Sequence, residues 1–291
     1  MVKKLIGQNN YMIQDKYFKG WNTKTHLNLF NPWNNYSTSF FNYTFGAYYE
    51  NKYMIKLLRK NKEYSVIDVG CASGYLLRYI NKNIKNFSKK NYYGVDLSKS
   101  AIEFAKKKYG NNNFELLEDE KLILKNKYKY DIVYSRDTIL HQLNPLLFIE
   151  KLINLSNNYV VARLRTRDYG KTEYDIKESC QMHYDKFWMP YIVINVNDLI
   201  ELFKRNIYIK KLHINRSYMI LGGQNYRSLP KELFFTETGG AETTIILELD
   251  KSNNNKDKLE IKETYEKEGL TYLKNFKFKF LIYRLLNKLR I

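Results

Sequence analysis

Short apolar runs alternate with amphipathic helical patterns between residues 64 and 164, and this alternation restricts the chain to few folds. The runs are Tyr64–Val69, Tyr92–Val95, Phe114–Leu117, Asp131–Tyr134 and Tyr159–Leu164, with helical patterns at 73–82, 99–109 and 146–155. A helical pattern near 196–205 and strand-like runs at Ile207–Ile214 and Glu242–Leu249 follow. Parallel neighbours need a crossover of a dozen or more residues, usually a helix. The pattern therefore predicts an α/β domain built on a doubly wound parallel sheet.

The most informative stretch, Val66 to Leu76, ends an apolar strand at Asp68 and then places small residues at alternate positions. Gly70 permits a tight turn, while Ala72 and Gly74 allow a ligand and the next helix to approach the backbone. The helix that opens there offers free N–H groups to a polar ligand. Taken alone, this spacing is weak evidence, because several nucleotide-binding folds produce it.

A second element makes the pattern more specific. The next strand ends at Asp96, 22 residues after Gly74, where a carboxylate can accept both hydroxyls of a ribose. Ser98 is then the predicted N-cap of a helix from Lys99 to Tyr109. A dinucleotide-dependent dehydrogenase is disfavoured, since Asp68 would repel a pyrophosphate but attract a cationic ammonium group.

Asp-Val-Gly-Cys-Ala-Ser-Gly at 68–74, followed by Gly-Val-Asp-Leu-Ser at 94–98, resembles the class I S-adenosylmethionine-dependent methyltransferase superfamily. The resemblance covers roughly residues 48–165 and, more weakly, 207–249. It implies a Rossmann-like fold, with a mostly parallel seven-stranded sheet, helices on both faces and an antiparallel last strand. It also implies S-adenosyl-L-methionine as the cofactor.

The resemblance further implies a set of cofactor-binding residues. They are Asp68, Gly70, Cys71, Ala72, Gly74, Asp96, Leu97, Glu118, Asp119, Ser135 and Arg136. Glu118 or Asp119, of which Asp119 is favoured, would receive the adenine amino group, and Ser135 and Arg136 would line the methionine side. Ala72 stands where the family usually has Gly, a departure that we expect to be sterically minor.

Two histidines are candidates for a general base toward a hydroxyl acceptor. His141 follows the fourth strand, and the alternative is that it only packs beneath the cofactor pocket. His183 lies in the 165–192 segment, where it could be a base, a substrate ligand or a surface residue. Tyr184 and Trp188 in the same segment are candidate substrate contacts.

Arg163, Arg165 and Arg167 alternate at the end of the fifth strand, which places them on one face at the ligand-binding edge. Arg163 and Arg165 are therefore candidates to bind an anionic acceptor. The alternative is a surface salt-bridge group with Asp168 and Glu173.

We expect the chain to divide into an aromatic N-terminal lid (1–47), a methyltransferase domain (48–250) with a substrate insertion (165–192), and a C-terminal region (251–291). We expect the C-terminal region to be a linker followed by a basic amphipathic helix. That helix could contact an anionic membrane through 271–291, dock on the domain or a partner chain, or bind RNA.

Charge and composition leave two explanations open. Lys and Arg total 49 against 30 Asp and Glu, a net charge of +19, which suits a polyanionic partner but also an AT-rich genome that favours Lys. The two cysteines exclude a disulfide framework and a cysteine zinc site, and no metal site is expected. The sequence shows no long apolar run and no secretion signal, so we expect a cytoplasmic protein. Peripheral contact with the inner face of the membrane is compatible with this location.

The expected function is methyl transfer to oxygen of a small molecule or of a glycan or lipid-linked saccharide, because aromatic walls suit such acceptors. An RNA methyltransferase is the alternative that the basic charge favours. A non-catalytic cofactor-binding subunit of a larger assembly is the third.

Overall fold

The protein is described by a computed structural model that covers Trp21 and residues 49–117, 129–182, 187–252 and 259–265. Its helices are α1 (Tyr49–Lys60), α2 (Tyr75–Asn83), α3 (Lys99–Tyr109), α4 (Pro145–Leu155) and α5 (Val196–Arg205). The strands of the first half are β1 (Val66–Val69), β2 (Tyr92–Asp96), β3 (Phe114–Leu116), β4 (Tyr130–Arg136), β5 (Ser156–Arg167) and β6 (Cys180–Met182). The later strands are β7 (Trp188–Pro190), β8 (Ile194–Asn195), β9 (Ile209–Tyr218), β10 (Arg227–Ser228), β11 (Ala241–Leu249) and β12 (Glu260–Tyr265).

The central sheet has the order β12-β9-β11-β5-β4-β1-β2-β3, with β8 attached to β5. Strands β1 to β5 pair in parallel, and β11 runs antiparallel to both β5 and β9. The doubly wound, mostly parallel sheet with a reversed late strand is thus confirmed. The expected seven strands are too few, because the described sheet has nine. The short β8 and the edge strand β12 account for the difference.

The helices cover both faces of this sheet because successive residues of its central strands point to opposite sides. Ile67 of β1 joins a core with Phe148 of α4 and Phe203 of α5. Its neighbour Val66 joins a second core with side chains of α1, α2 and α3. All four residues of β1 are buried, as expected for a strand covered on both faces.

A small antiparallel sheet of β6, β7 and β10 lies apart from the central one. We call residues 168–182, 187–193 and 219–240, which contain it, the cap. The cap packs on the short turn Ile139–His141 after β4, where Leu140 shares a core with Tyr191 and Leu233. The insertion expected at 165–192 is therefore only part of this layer, since β5 continues to Arg167 and β10 supplies a strand from later in the chain.

Several predictions fall on residues that the structure does not describe. These are Glu118, Asp119, His183, Tyr184, the proposed lid apart from Trp21, and the basic helix at 271–291. Within the expected linker, Glu260–Tyr265 instead forms β12, which pairs in parallel with β9. None of the helices in the described ranges has the length and apolar character needed to cross a bilayer.

Candidate functional site

The loop between β1 and α2 turns sharply at alternate residues. Gly70, Ala72 and Gly74 have φ values of +82°, +46° and +81°. A Cβ atom on Gly70 would lie 2.0 Å from the hydroxyl oxygen of Thr138, so only glycine fits there. The backbone N–H groups of Gly70 and Cys71 both donate to the carbonyl oxygen of Val95, at 2.9 and 3.1 Å. These bonds hold the loop at the carboxyl end of β2.

Ala72 differs from the two glycines because its side chain makes the left-handed conformation unfavourable by about 1 kcal/mol. The substitution that looked sterically minor in the sequence therefore carries backbone strain. The Ala72 N–H donates to Oδ2 of Asp96 at 2.8 Å, which helps to hold the conformation.

Asp96 is placed by the loop on one side and by α3 on the other. Its Oδ2 accepts from Ala72, and its Oδ1 accepts from the backbone N–H of Ser98 at 2.8 Å. Ser98 caps α3 through a hydrogen bond that its hydroxyl accepts from Ala101, which confirms the predicted N-cap. The Asp96 carboxylate keeps a further lone pair for a ligand hydroxyl. The role of Asp96 in ribose binding remains a prediction.

Asp68 occupies the sheet beneath the loop and is only 3% exposed. Burial raises its pKa to about 7, although the Tyr92 hydroxyl opposes the shift by donating to Oδ2 at 2.7 Å. Burial likewise raises the pKa of the neighbouring Cys71 thiol. Asp68 therefore titrates near neutrality, where a cationic ligand would favour its ionised form.

Ser135 and Leu97 have structural contacts in addition to their predicted cofactor roles. The Ser135 hydroxyl is fully buried and donates to the carbonyl oxygen of Val69 at 3.0 Å, which ties β4 to the end of β1. Leu97 packs against the core formed with α4 and α5. Neither contact tests the expected role at the cofactor.

A group of six charged residues, which we call the arginine cluster, lies where β4 and β5 end and β11 begins. Its members are Glu50, Arg136, Asp137, Arg163, Arg165 and Glu242. Asp137 lies 2.8 Å from Arg165 and 3.4 Å from Arg163, and Glu50 lies 3.3 Å from Arg136. The guanidinium carbon of Arg136 also lies 5.7 Å from the centre of the Tyr75 ring. Three positive and three negative charges balance each other.

These ion pairs change what Arg163 and Arg165 can offer a substrate. Both Nη atoms of Arg165 face carboxylates, one of Asp137 and one of Glu242, each at 2.8 Å. Arg163 pairs with Glu242 as well. Only the Nε–H of Arg165 is then available to a ligand. It is buried and has no hydrogen-bond partner in the part of the chain that the structure describes.

The alternative of a surface salt-bridge group was wrong in its partners and in its exposure. Asp168 pairs with Arg216 and Glu173 pairs with Lys171 at 2.8 Å, so neither joins the cluster. Arg163 is only 5% exposed. Arg167, the third alternating arginine, is also buried and lies 3.6 Å from Glu232 of the cap.

His141 ends the turn after β4 and contacts the cap. Its Nδ1 is 2.7 Å from the carbonyl oxygen of Pro190, and because a carbonyl only accepts, Nδ1 carries the proton. Burial lowers the pKa of His141 to about 4, so the ring is neutral at pH 7 and Nε2 holds a lone pair. The rings of Trp21 and Tyr191 pack against it edge-on, with centroids 5.1 and 6.0 Å away.

Two cap residues that the sequence analysis did not select also belong to this region. Tyr191 is 2% exposed, and the guanidinium carbon of Arg227 lies 4.3 Å from the centre of its ring. By contrast, Trp188, a predicted substrate contact, is 39% exposed on β7. No motif marks Tyr191 or Arg227 in the sequence, since their proximity depends on the pairing of β6, β7 and β10.

Within the described ranges, no group of three His, Cys, Asp or Glu residues could hold a metal ion. The carboxylates of the arginine cluster face guanidinium groups instead.

Comparisons with known proteins agree with the fold. A family profile described as "Methyltransferase domain" matches residues 60–208. Among curated proteins, 235L of Invertebrate iridescent virus 6 is 32% identical over 88 residues, which are 30% of this chain and 31% of that protein. Malonyl-(acyl-carrier protein) O-methyltransferase of Priestia megaterium is 33% identical over 78 residues, 27% of each chain. This chain therefore spans less than a third of the length of these curated relatives.

Among solved structures, the magnesium protoporphyrin IX methyltransferase of Synechocystis PCC 6803 with bound S-adenosylmethionine is 15% identical. The alignment covers 82% of this chain and 95% of that one, with a TM-score of 0.46.

Proposed function

The chain belongs to the methyltransferase-domain family and has the class I fold of S-adenosylmethionine-dependent enzymes, and from that membership we propose that it methylates an oxygen atom of a small-molecule acceptor. The observation that carries the choice of acceptor is the cap. It packs on the turn after β4 and places the Tyr191 ring against His141, which also contacts the ring of Trp21. An enclosed, aromatic region of this kind suits a small molecule. The O-methyltransferase among the relatives supports oxygen as the methylated atom.

The residues around the β1–α2 loop fit the proposed cofactor. Asp96 offers lone pairs to ribose hydroxyls, and Asp68, with a pKa near 7, favours a positively charged group. The left-handed turns at Gly70 and Gly74 keep side chains away from the opening of α2. When bound, the cofactor supplies a methyl group on an already electrophilic sulfonium. The chain has mainly to bind, orient and shield the reactants.

On the acceptor side, His141 is suited to orienting a hydroxyl group. Its Nε2 lone pair can accept the hydroxyl proton in a hydrogen bond, but a pKa of about 4 makes it a weak base. The next residue, Gln142, has a buried Oε1 with no partner among the described residues. Two atoms that accept hydrogen bonds, on adjacent residues, favour a methyl acceptor with a hydroxyl group that donates one, such as an alcohol or a phenol.

Calorimetry with S-adenosylhomocysteine tests the cofactor site. Asp96→Ala should weaken binding by about 1–3 kcal/mol, because ribose hydroxyls lose their acceptor. Asp131→Ala is the matched control, since Asp131 is a hydrogen-bonded carboxylate at the opposite edge of the sheet, where it accepts from Ser65 at 2.9 Å. The control should alter stability but not ligand affinity. Equal affinities for wild type and Asp96→Ala would remove Asp96 from the site.

Methyl transfer by the full chain tests the acceptor class. The protein is incubated with cofactor labelled in its methyl group and with a fractionated cell extract that keeps small molecules, proteins and RNA apart. Label should enter the small-molecule fraction in a base-stable ether or a base-labile ester, both of which are bonds to oxygen. Label in RNA, or in no fraction, would contradict the proposal.

A further inference from the structure

The Tyr191 hydroxyl is a buried polar group without a hydrogen-bond partner. The residue is 2% exposed, and its oxygen is among the buried side-chain atoms that no residue in the described ranges bonds. Its backbone is fixed, because the Tyr191 N–H donates to the carbonyl oxygen of Ser179 at 3.0 Å. An unbonded buried hydroxyl is costly and therefore uncommon in folded proteins.

A second unsatisfied donor lies on β5, which pairs with β8 just after Tyr191. Arg165 uses both Nη atoms on carboxylates, while its Nε–H is buried with no hydrogen-bond partner in the described chain. Thr166, the residue after Arg165, pairs with Ile194, three residues after Tyr191, so adjoining segments of the chain carry the two groups. Burial lowers the pKa of Arg165, whereas the electrostatic effects of Tyr191 and Asp137 raise it.

Arg227 adds a positive charge over the Tyr191 ring. Its Nε donates to Oε1 of Gln181 at 2.8 Å and its Nη1 donates to the carbonyl oxygen of Leu221 at 3.2 Å. Within the described ranges it forms no ion pair with a carboxylate. Because the arginine cluster is neutral and His141 is uncharged, Arg227 leaves this region with one surplus positive charge.

Two unsatisfied donors beside a surplus cation have the chemistry of an oxyanion site. We propose that the Arg165 Nε–H, the Tyr191 hydroxyl and Arg227 bind a carboxylate group of the acceptor. The two donors match the two oxygens of a carboxylate in number, whereas an ammonium group would be repelled by the surplus positive charge. This inference rests on the proposed function, and together with the acceptor atoms of His141 and Gln142 it specifies a hydroxy acid as the acceptor class.

Direct binding of simple probes tests the carboxylate site. The full chain, saturated with S-adenosylhomocysteine, is titrated with 4-hydroxybenzoate and glycolate and with their neutral amides, 4-hydroxybenzamide and glycolamide. At least one carboxylate should bind at millimolar concentration and more tightly than its amide. Tyr191→Phe and Arg227→Gln should each weaken that binding about tenfold, the range of a charge-assisted hydrogen bond.

Tyr134→Phe is the matched control. Tyr134 is also a buried tyrosine, but its hydroxyl donates to Oδ1 of Asn51 at 2.7 Å. This variant should lower the melting temperature and leave carboxylate affinity unchanged. Tyr191→Phe should weaken carboxylate binding without lowering the melting temperature, because it removes a hydroxyl that has no partner among the described residues.

Three results would overturn the carboxylate site. They are equal affinity for each carboxylate and its amide, no binding of either carboxylate, or a loss of stability in Tyr191→Phe as large as in Tyr134→Phe. The proposed function fails separately, if the wild-type chain does not bind S-adenosylhomocysteine. Binding of S-adenosylhomocysteine without carboxylate binding would refute only the inference.

Discussion

Replacing Asp137 with Asn removes one negative charge from the arginine cluster and preserves the shape of the side chain. The backbone of Asp137 is left-handed, with a φ of +55°, a conformation that Asn tolerates as well as Asp does. The change leaves Arg163, 3.4 Å away, and Arg165, 2.8 Å away, short of one counter-charge. Urea unfolding of the full chain, followed by circular dichroism, measures the effect.

The expected loss can be estimated from the exposure of the group. Removing one partner of a buried ion pair costs about 3–5 kcal/mol. The Asp137 side chain is 34% exposed, so solvent screens part of the interaction and we expect about 2 kcal/mol. Glu201→Gln is the control, because Glu201 and Lys204 form a pair 3.0 Å apart with 55% and 53% of their side chains exposed. It should leave the free energy of unfolding nearly unchanged, because solvent screens the pair.

The pH dependence provides a second check on Asp137. Burial alone would raise its pKa, but Arg163, Arg165 and Arg136 together hold it well below the usual range. A lowered pKa in the folded state gives stability that is complete above the unfolded value of about 4 and is lost as the pH falls below it. The difference between wild type and Asp137→Asn should therefore be constant from about pH 5 to 8. A difference under about 0.5 kcal/mol at pH 7, or one that grows on acidification, would refute the reasoning.

Two further predictions concern the β1–α2 loop. Asp68, with its pKa of about 7, ionises between about pH 6 and 8, so the affinity for S-adenosylmethionine, measured by calorimetry, should rise over this range. Asp68→Asn should abolish the rise. An unchanged rise in this variant would place the titrating group elsewhere. Ala72→Gly should raise the free energy of unfolding by about 1 kcal/mol by relieving the left-handed backbone, whereas Gly70→Ala should lower it through contact with Thr138. Equal urea midpoints for the two variants would contradict this.

Local features of the site could be predicted from the sequence because they depend on neighbours along the chain. The turns at Gly70 and Gly74 and the helix N-cap at Ser98 follow from residue types that are close in sequence. The doubly wound, mostly parallel sheet could also be predicted, since strand–helix alternation leaves few other arrangements.

The partners of the arginines could not be predicted in the same way. Alternation placed Arg163 and Arg165 on one face, but Glu50 and Glu242 reach them from opposite ends of the domain. Asp168 and Glu173 are near in sequence but form ion pairs with Arg216 and Lys171 instead. Sequence distance is a poor guide to ion pairing once a sheet brings distant strands together.

Strand β12 was missed for a different reason. As an edge strand, Glu260–Tyr265 is largely exposed and carries polar residues at most positions. It therefore lacks the apolar run or alternation by which a buried or half-buried strand is detected. Charged residues on an edge strand also discourage pairing with other chains.

Helix α1 is the first helix of the described chain, yet the groups that satisfy its buried polar residues are synthesised much later. Asn51 accepts a hydrogen bond from Tyr134, 83 positions further on, and Glu50 accepts one from Thr244, 194 positions further on. Burial of the Glu50 carboxylate before its partners exist would be strongly unfavourable. We therefore expect α1 to dock on the sheet only after β11 has been synthesised, which makes it an early segment of the described chain that packs late.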